Sequence, residues 1–233
     1  MKPPFPAVEG LYSKPTVINN VETLCVVPYI VNEGAQKYAA LGTEKSKGTK
    51  LVSVSGHVKK PGNYEIEMGT PTSELIYNLA GGIQNDNKLK AFIPGGSSVP
   101  MLPADKVDTP YDYESLAEAG TMLGSGALIV IDDSINIVEA TLRLISFYMH
   151  ESCGKCTPCR EGTRWLYQIV ERIMQNKGQL EYITKLEDIC DNMAFKTFCP
   201  LADACVAPVV SSIKHFRSDY EEYFKKAPAG LVG

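Results

Sequence analysis

Residues 151–163 read ESCGKCTPCREGT, with Cys153, Cys156 and Cys159 set three apart. Thiolates at i, i+3 and i+6 in one loop can wrap a face of a compact metal cluster, and ferredoxin-type four-iron clusters use this C-x2-C-x2-C spacing. Their remaining cysteine is typically followed by proline, and FCPLADAC at 198–205 offers Cys199-Pro200. A triplet plus one distant thiol therefore predicts a [4Fe–4S] site. Gly154 and Pro158 suit a tight wrap, free loop amides can hydrogen-bond the sulfurs, and Lys155 and Arg160 offset part of the negative charge. The competing metal is structural zinc. Four-cysteine zinc sites usually pair two C-x2-C knuckles at separate places, which is not a three-plus-one partition. The C-x3-C-x2-C of radical enzymes that cleave S-adenosylmethionine is absent.

Cys190 and Cys205 are rival fourth ligands. Each falls on or near an apolar helical stripe, where a cysteine most often packs as a small hydrophobe. Cys25, between Leu24 and Val26, reads as packing too. His150 stands just ahead of the triplet, while His57 and His215 show no partner pattern.

Three regions must position these thiols. Residues 1–46 begin rich in proline and glycine and read as the tail of a larger domain. From 47 to about 130 the pattern is α+β. Val52, Val54 and Val58, then Tyr64, Ile66 and Met68, alternate with polar positions as a hairpin does. KPGN at 60–63 suits a type II turn. Thr70 and Pro71 suit a helix start, and Gly81-Gly82 its stop. KAFIP and GALIVID supply further strands, which together make a small β-grasp. From 134 onward the periodicity is helical. Ile137, Ala140, Leu144 and Phe147 form one stripe; Leu166, Ile169, Val170 and Ile173 mark a second helix after the cysteine loop. Leu180, Ile183, Leu186, Ile189 and Met193 mark a third, and Val206, Val209, Val210, Ile213 and Phe216 a fourth. The predicted fold is α+β, a β-grasp followed by a four-helix bundle that carries the cluster.

The 233 residues are 44% hydrophobic and 21% charged, with a net charge of −4. That is ordinary globular composition, and it gives no electrostatic case for nucleic acid or an anionic membrane as partner. ALIVI at 127–131 is too short to span a bilayer. Seven clustered cysteines do not suggest a secreted disulfide framework and fit metal-bound thiolates in a reducing cytoplasm.

ESCGKCTPCREGT and FCPLADACVAPV, with PTVINNVETL, SGHVKKPG and IPGGSSVP in the same order, resemble the flavoprotein subunit of NADH:quinone oxidoreductase (respiratory complex I). They equally resemble its relatives in NAD-reducing and electron-bifurcating hydrogenases and NAD-linked formate dehydrogenases. The resemblance implies that Cys153, Cys156, Cys159 and Cys199 hold the [4Fe–4S] cluster. It also implies that Asn19, Asn20 and Thr23 contact FMN, where the residues alone read as a polar turn. The implied domains are 1–46 as the tail of an FMN-binding domain, 47–133 as a soluble-ligand-binding-like β-grasp, and 134–233 as the helical cluster domain. NAD(H) is the implied substrate of the intact subunit. The implied partners are a preceding FMN/NADH half, a thioredoxin-like [2Fe–2S] subunit and a larger iron–sulfur subunit. The implied place is cytoplasmic, peripheral to the inner membrane through a complex. No G-x-G-x-x-G occurs in the chain, so the expectation is a fragment, a truncated form or one product of a split gene, relaying electrons without oxidising NADH by itself. PGGSS at 94–98 reads as a surface turn rather than a phosphate loop. The reading of another class is a non-catalytic adaptor whose bundle is stapled by zinc.

Overall fold

In the computed structural model, which describes residues 3–225, five strands form one mixed sheet beside a helical layer. Helices α1 (Val21–Glu33) and α2 (Ala35–Ala39) come first. Strands β1 (Thr49–Gly56), β2 (Gly62–Glu67), β3 (Leu89–Ile93) and β4 (Leu102–Pro103) follow, then helix α3 (Tyr113–Glu118) and strand β5 (Ala127–Asp132). Helices α4 (Ile137–Glu151), α5 (Thr157–Met174), α6 (Glu181–Met193) and α7 (Leu201–Lys225) complete the order. The strand order is β2-β1-β5-β3-β4, with β1 and β5 parallel and every other pair antiparallel.

Alternation along the strands sorts side chains onto two faces. Val52 and Val54 of β1, Phe92 of β3 and Leu128 and Val130 of β5 face one core. That core also holds Leu75 and Ile76, from a π-helical turn at Glu74–Leu79, and Leu116 of α3. Ala91, Ile93 and Ile131 point the other way and meet Ile137 of α4 and Phe216 of α7. A third core lies within the helices, where Val138, Ile145, Leu166, Val170, Ile183, Leu186 and Val209 are buried together. Asp219 of α7 pins the sheet to the helices: one carboxylate oxygen accepts the Ile137 N–H at the start of α4 at 2.8 Å and pairs with Lys90 of β3 at 2.6 Å. Ser97, after β3, shares a 2.9 Å hydrogen bond with Tyr148 of α4.

Several expectations need correction. Gly62 does not adopt positive φ, so 60–63 is not a type II turn; β2 starts at Gly62, and Val58 is buried outside β1 through a bridge to Ile83. The Thr70 hydroxyl donates to the Glu67 carbonyl instead of capping a helix. Pro94, Gly95 and Gly96 are buried, and a side chain at Gly95 would meet the Met122 and Leu123 carbonyls, so PGGSS starts in the interior and reaches the surface only at its serine end. Phe147 and Leu180, placed on apolar stripes by periodicity, are 52% and 55% exposed. Cys25 is exposed on α1, which has no buried residue despite its apolar sequence.

Candidate metal centre

The chain leaves α4 at Ser152 with extended backbone (φ −64°, ψ 121°) and turns at Gly154, whose φ of 76° favours glycine. Cys156 is the N-cap residue of α5, followed within the first turn by Pro158, whose missing N–H costs nothing there. The second helix thus begins inside the cysteine segment rather than after it. Cys159 sits on its first turn, and the Thr163 hydroxyl donates to the Cys159 carbonyl at 2.8 Å.

The fourth thiol arrives through the α6–α7 connection. Phe195 holds φ 56° there, a strained value for an aromatic residue, and its N–H donates to the Asp203 carboxylate at 2.6 Å. That bond fixes the connection to the first turn of α7. Phe198 N–H then donates to Cys156 Sγ at 3.4 Å, and the Lys155 ammonium lies 4.4 Å from the Phe198 ring centroid. Cys199 follows directly, with Pro200 and α7 after it.

Cys153, Cys156, Cys159 and Cys199 all line one cavity of about 120 Å³, as do Ser152 and Lys155. A small thiol-lined cavity of this kind suits a compact inorganic group. Cys159 is buried, Cys156 is half-buried, and Cys153 and Cys199 are exposed, so the cavity opens at the surface. The amino ends of α5 and α7 converge on it, and their partial positive charge favours a negatively charged group there. Among the described residues no group of three or more His, Cys, Asp or Glu side chains is set to hold a single metal ion. Four thiols around one small cavity are the donor set that a [4Fe–4S] cluster takes.

Neither rival thiol lines the cavity. Burial pushes the Cys190 thiol up to about 12, helped by Asp191 and Glu187. Cys205 is pushed up as well, by burial first and then by Cys190 and Cys159. Both are buried and pack in the helical core.

Asn20 and Thr23 line a separate cavity of about 730 Å³, shared with Lys45, Lys47 and Lys50 across the gap between α1 and the sheet; Asn19 does not line it. The Asn20 side-chain oxygen accepts the Thr23 N–H at 3.2 Å, so it serves as the N-cap of α1. Glu22 ties α1 to β1 by accepting the Leu51 N–H at 2.7 Å and pairing with Lys50. Despite desolvation, these bonds hold its carboxyl below the usual range.

Sequence reasoning missed His57. Its Nδ1 lies 2.8 Å from the nearly buried Asp132 carboxylate, joining the β1–β2 connection to the end of β5. These two residues stand far apart in the chain, and no spacing signals their meeting. Ser152 was missed as well; its hydroxyl lies 3.2 Å from Cys159 Sγ.

Residues 139–223 match the iron–sulfur binding region of NADH-ubiquinone oxidoreductase F, and residues 50–130 match the SLBB domain. The chain is 48% identical over 223 residues to the F subunit of NADH-quinone oxidoreductase in Streptomyces coelicolor, covering 96% of this chain and 49% of that one. The Mycobacterium bovis protein of the same name is 51% identical over 220 residues, covering 94% and 49%. The chain spans about half the length of these curated relatives. Among solved structures, the air-oxidized NAD+-reducing [NiFe]-hydrogenase contains a chain that superposes with a TM-score of 0.83 at 32% identity, over 95% of this chain and 38% of that one.

Proposed function

The chain is related over nearly its whole length to the F subunit of NADH-quinone oxidoreductase, and from that premise we propose that it is the electron-relaying part of such a flavoprotein. One observation carries the reading: four thiols from two distant segments line one small cavity, inside the residues that match an iron–sulfur binding region. Cys153, Cys156, Cys159 and Cys199 are the proposed ligands. A [4Fe–4S] cluster bound by them supplies storage and release of single electrons. The chain's own residues do the rest. The amino ends of α5 and α7 and the Lys155 ammonium favour negative charge at the site, Phe198 N–H donates to Cys156, and the helical core excludes water behind Cys159.

We read residues 47–133 as a β-grasp and 134–233 as the helical cluster domain, a four-helix bundle over its described part, with 1–46 as the tail of an FMN-binding domain; residues 1–2 and 226–233 of these ranges lie outside the described residues. The apolar α1, with no fully buried residue, supports the last reading, since a helix of this composition normally lies inside a domain. FMN is the proposed ligand at Asn19, Asn20 and Thr23, and the lysines around that cavity suit a phosphate-bearing group. NADH is the proposed substrate of the whole protein. Its proposed partners are the FMN/NADH half, a thioredoxin-like [2Fe–2S] subunit and a larger iron–sulfur subunit. Attachment to the inner membrane would run through that complex, since no helix among the described residues is long and apolar enough to cross a bilayer. The superposition on the NAD+-reducing hydrogenase chain supports a second reading, a hydrogenase flavoprotein, which its lower identity ranks behind the first.

The test is iron and sulfide analysis of anaerobically prepared protein, with EPR after dithionite reduction. About four irons per chain are expected, with the four-iron signal lost in Cys199→Ser and kept in Cys205→Ser. A colourless, iron-free wild type, or a Cys199→Ser signal identical to wild type, would remove the assignment.

A further inference from the structure

We propose that the Ser152 hydroxyl donates a hydrogen bond to the Cys159 sulfur and thereby raises the reduction potential of the cluster; this rests on the ligand assignment above. Ser152 Oγ and Cys159 Sγ are 3.2 Å apart. As a metal ligand Cys159 is a thiolate without a proton, so only the hydroxyl can donate across that contact. Its direction is set by a short chain of bonds. The Gly154 N–H reaches Ser152 Oγ at 3.4 Å and takes one of its two acceptor positions, which leaves the hydroxyl hydrogen free to turn to the sulfur. Gly154 is held in turn by Arg160 Nη1, which donates to its carbonyl at 2.6 Å.

Cys159 is the one buried thiol of the four. Away from water, a donor to its sulfur acts in a weakly screening medium and counts for more than at Cys153 or Cys199. Reduction adds negative charge that the sulfurs share. A donor on one of them stabilises the reduced form and lifts the potential. Ser152 is thus a positioning and tuning residue, acting through Cys159 without being a ligand.

The experiment is an EPR-monitored redox titration of the full chain carrying its cluster, in wild type and in Ser152→Ala, Ser152→Thr and Ser152→Val. Thr and Val share a shape and differ by the hydroxyl. We expect Ala and Val to shift the midpoint to more negative potential with the four-iron line shape retained, and Thr to stay at the wild-type value. Cluster loss in Ala and Val with retention in Thr also supports the contact. One potential for all four proteins, or cluster loss in all three variants, overturns it. An iron-free wild type instead sinks the ligand assignment, a separate failure read before any titration.

Discussion

Cys159 and Cys199 reach the same cavity by different means, and single substitutions separate their surroundings. Gly154 turns the chain between Cys153 and Cys156 with φ 76°. A side chain there would meet only Arg160 Cδ at 3.7 Å, so space is not limiting. Gly154→Ala should therefore cost about 1–2 kcal/mol from backbone conformation alone, read by chemical denaturation of the metal-free chain. Far from the thiols, Asp132 accepts bonds from Ser134 and Asn87, and its carboxylate lies 2.8 Å from His57 Nδ1, which accepts the Asp132 backbone N–H. Desolvation works against ionisation, yet these bonds win and hold its carboxyl below the ordinary 3.8. A carboxylate depressed on folding stabilises above its unfolded pKa, and that contribution fades as pH falls through the folded value. Asp132→Asn should lower the melting temperature near pH 7, with the effect shrinking progressively as pH falls below 3.8 toward the depressed folded value. A variant equally destabilised at both pH values would contradict this.

Helix packing sets how closely the α5 start can be held. Gly162 on α5 faces Met193 of α6, and a Cβ there would come within 2.4 Å of the methionine sulfur. Gly162→Ala gains helix propensity of about 1 kcal/mol but overpacks this crossing, a cost of about 1–3 kcal/mol. Placed in a Met193→Ala background, the same change should become stabilising, and a double-mutant cycle should return a clear coupling. Additive effects would mean that the two helices do not meet at this point. Where the helices meet the sheet, Asp219→Ala strips the Ile137 N–H and Lys90 of their partner. Leaving the buried Ile137 donor unsatisfied should cost about 1–3 kcal/mol in thermal or denaturant unfolding, while Lys90 keeps the Ile135 carbonyl at 3.1 Å.

Across the whole molecule the sheet and the helices are fused through Ala91, Ile93, Ile131, Ile137 and Phe216, while the thiol cavity lies at the starts of α5 and α7. A group bound there stabilises the segments that hold it first. Hydrogen exchange on metal-free and cluster-loaded protein should differ over residues 150–205, with β1, β3 and β5 little changed. Protection gained evenly over the whole chain would show instead that the two layers unfold as one unit.

The sequence alone determined the thiol arithmetic, the change from alternating to helical periodicity, and the order of the elements. The triplet spacing of Cys153, Cys156 and Cys159 is local, and local patterns survive folding. It also placed Cys190 and Cys205 in the core, because their stripes are read from period alone. The Cys199-Pro200 pair already marked the distant thiol, and tertiary structure supplies what brings it to the cavity: the Phe195–Asp203 and Phe198–Cys156 bonds, neither of which has a signature in the chain. It decided too that Pro94, Gly95 and Gly96 are buried, that Cys25 is exposed, and that His57 meets Asp132. Burial and pairing between remote segments depend on how the layers stack, and residue types fix only what each segment could bury, not what it meets.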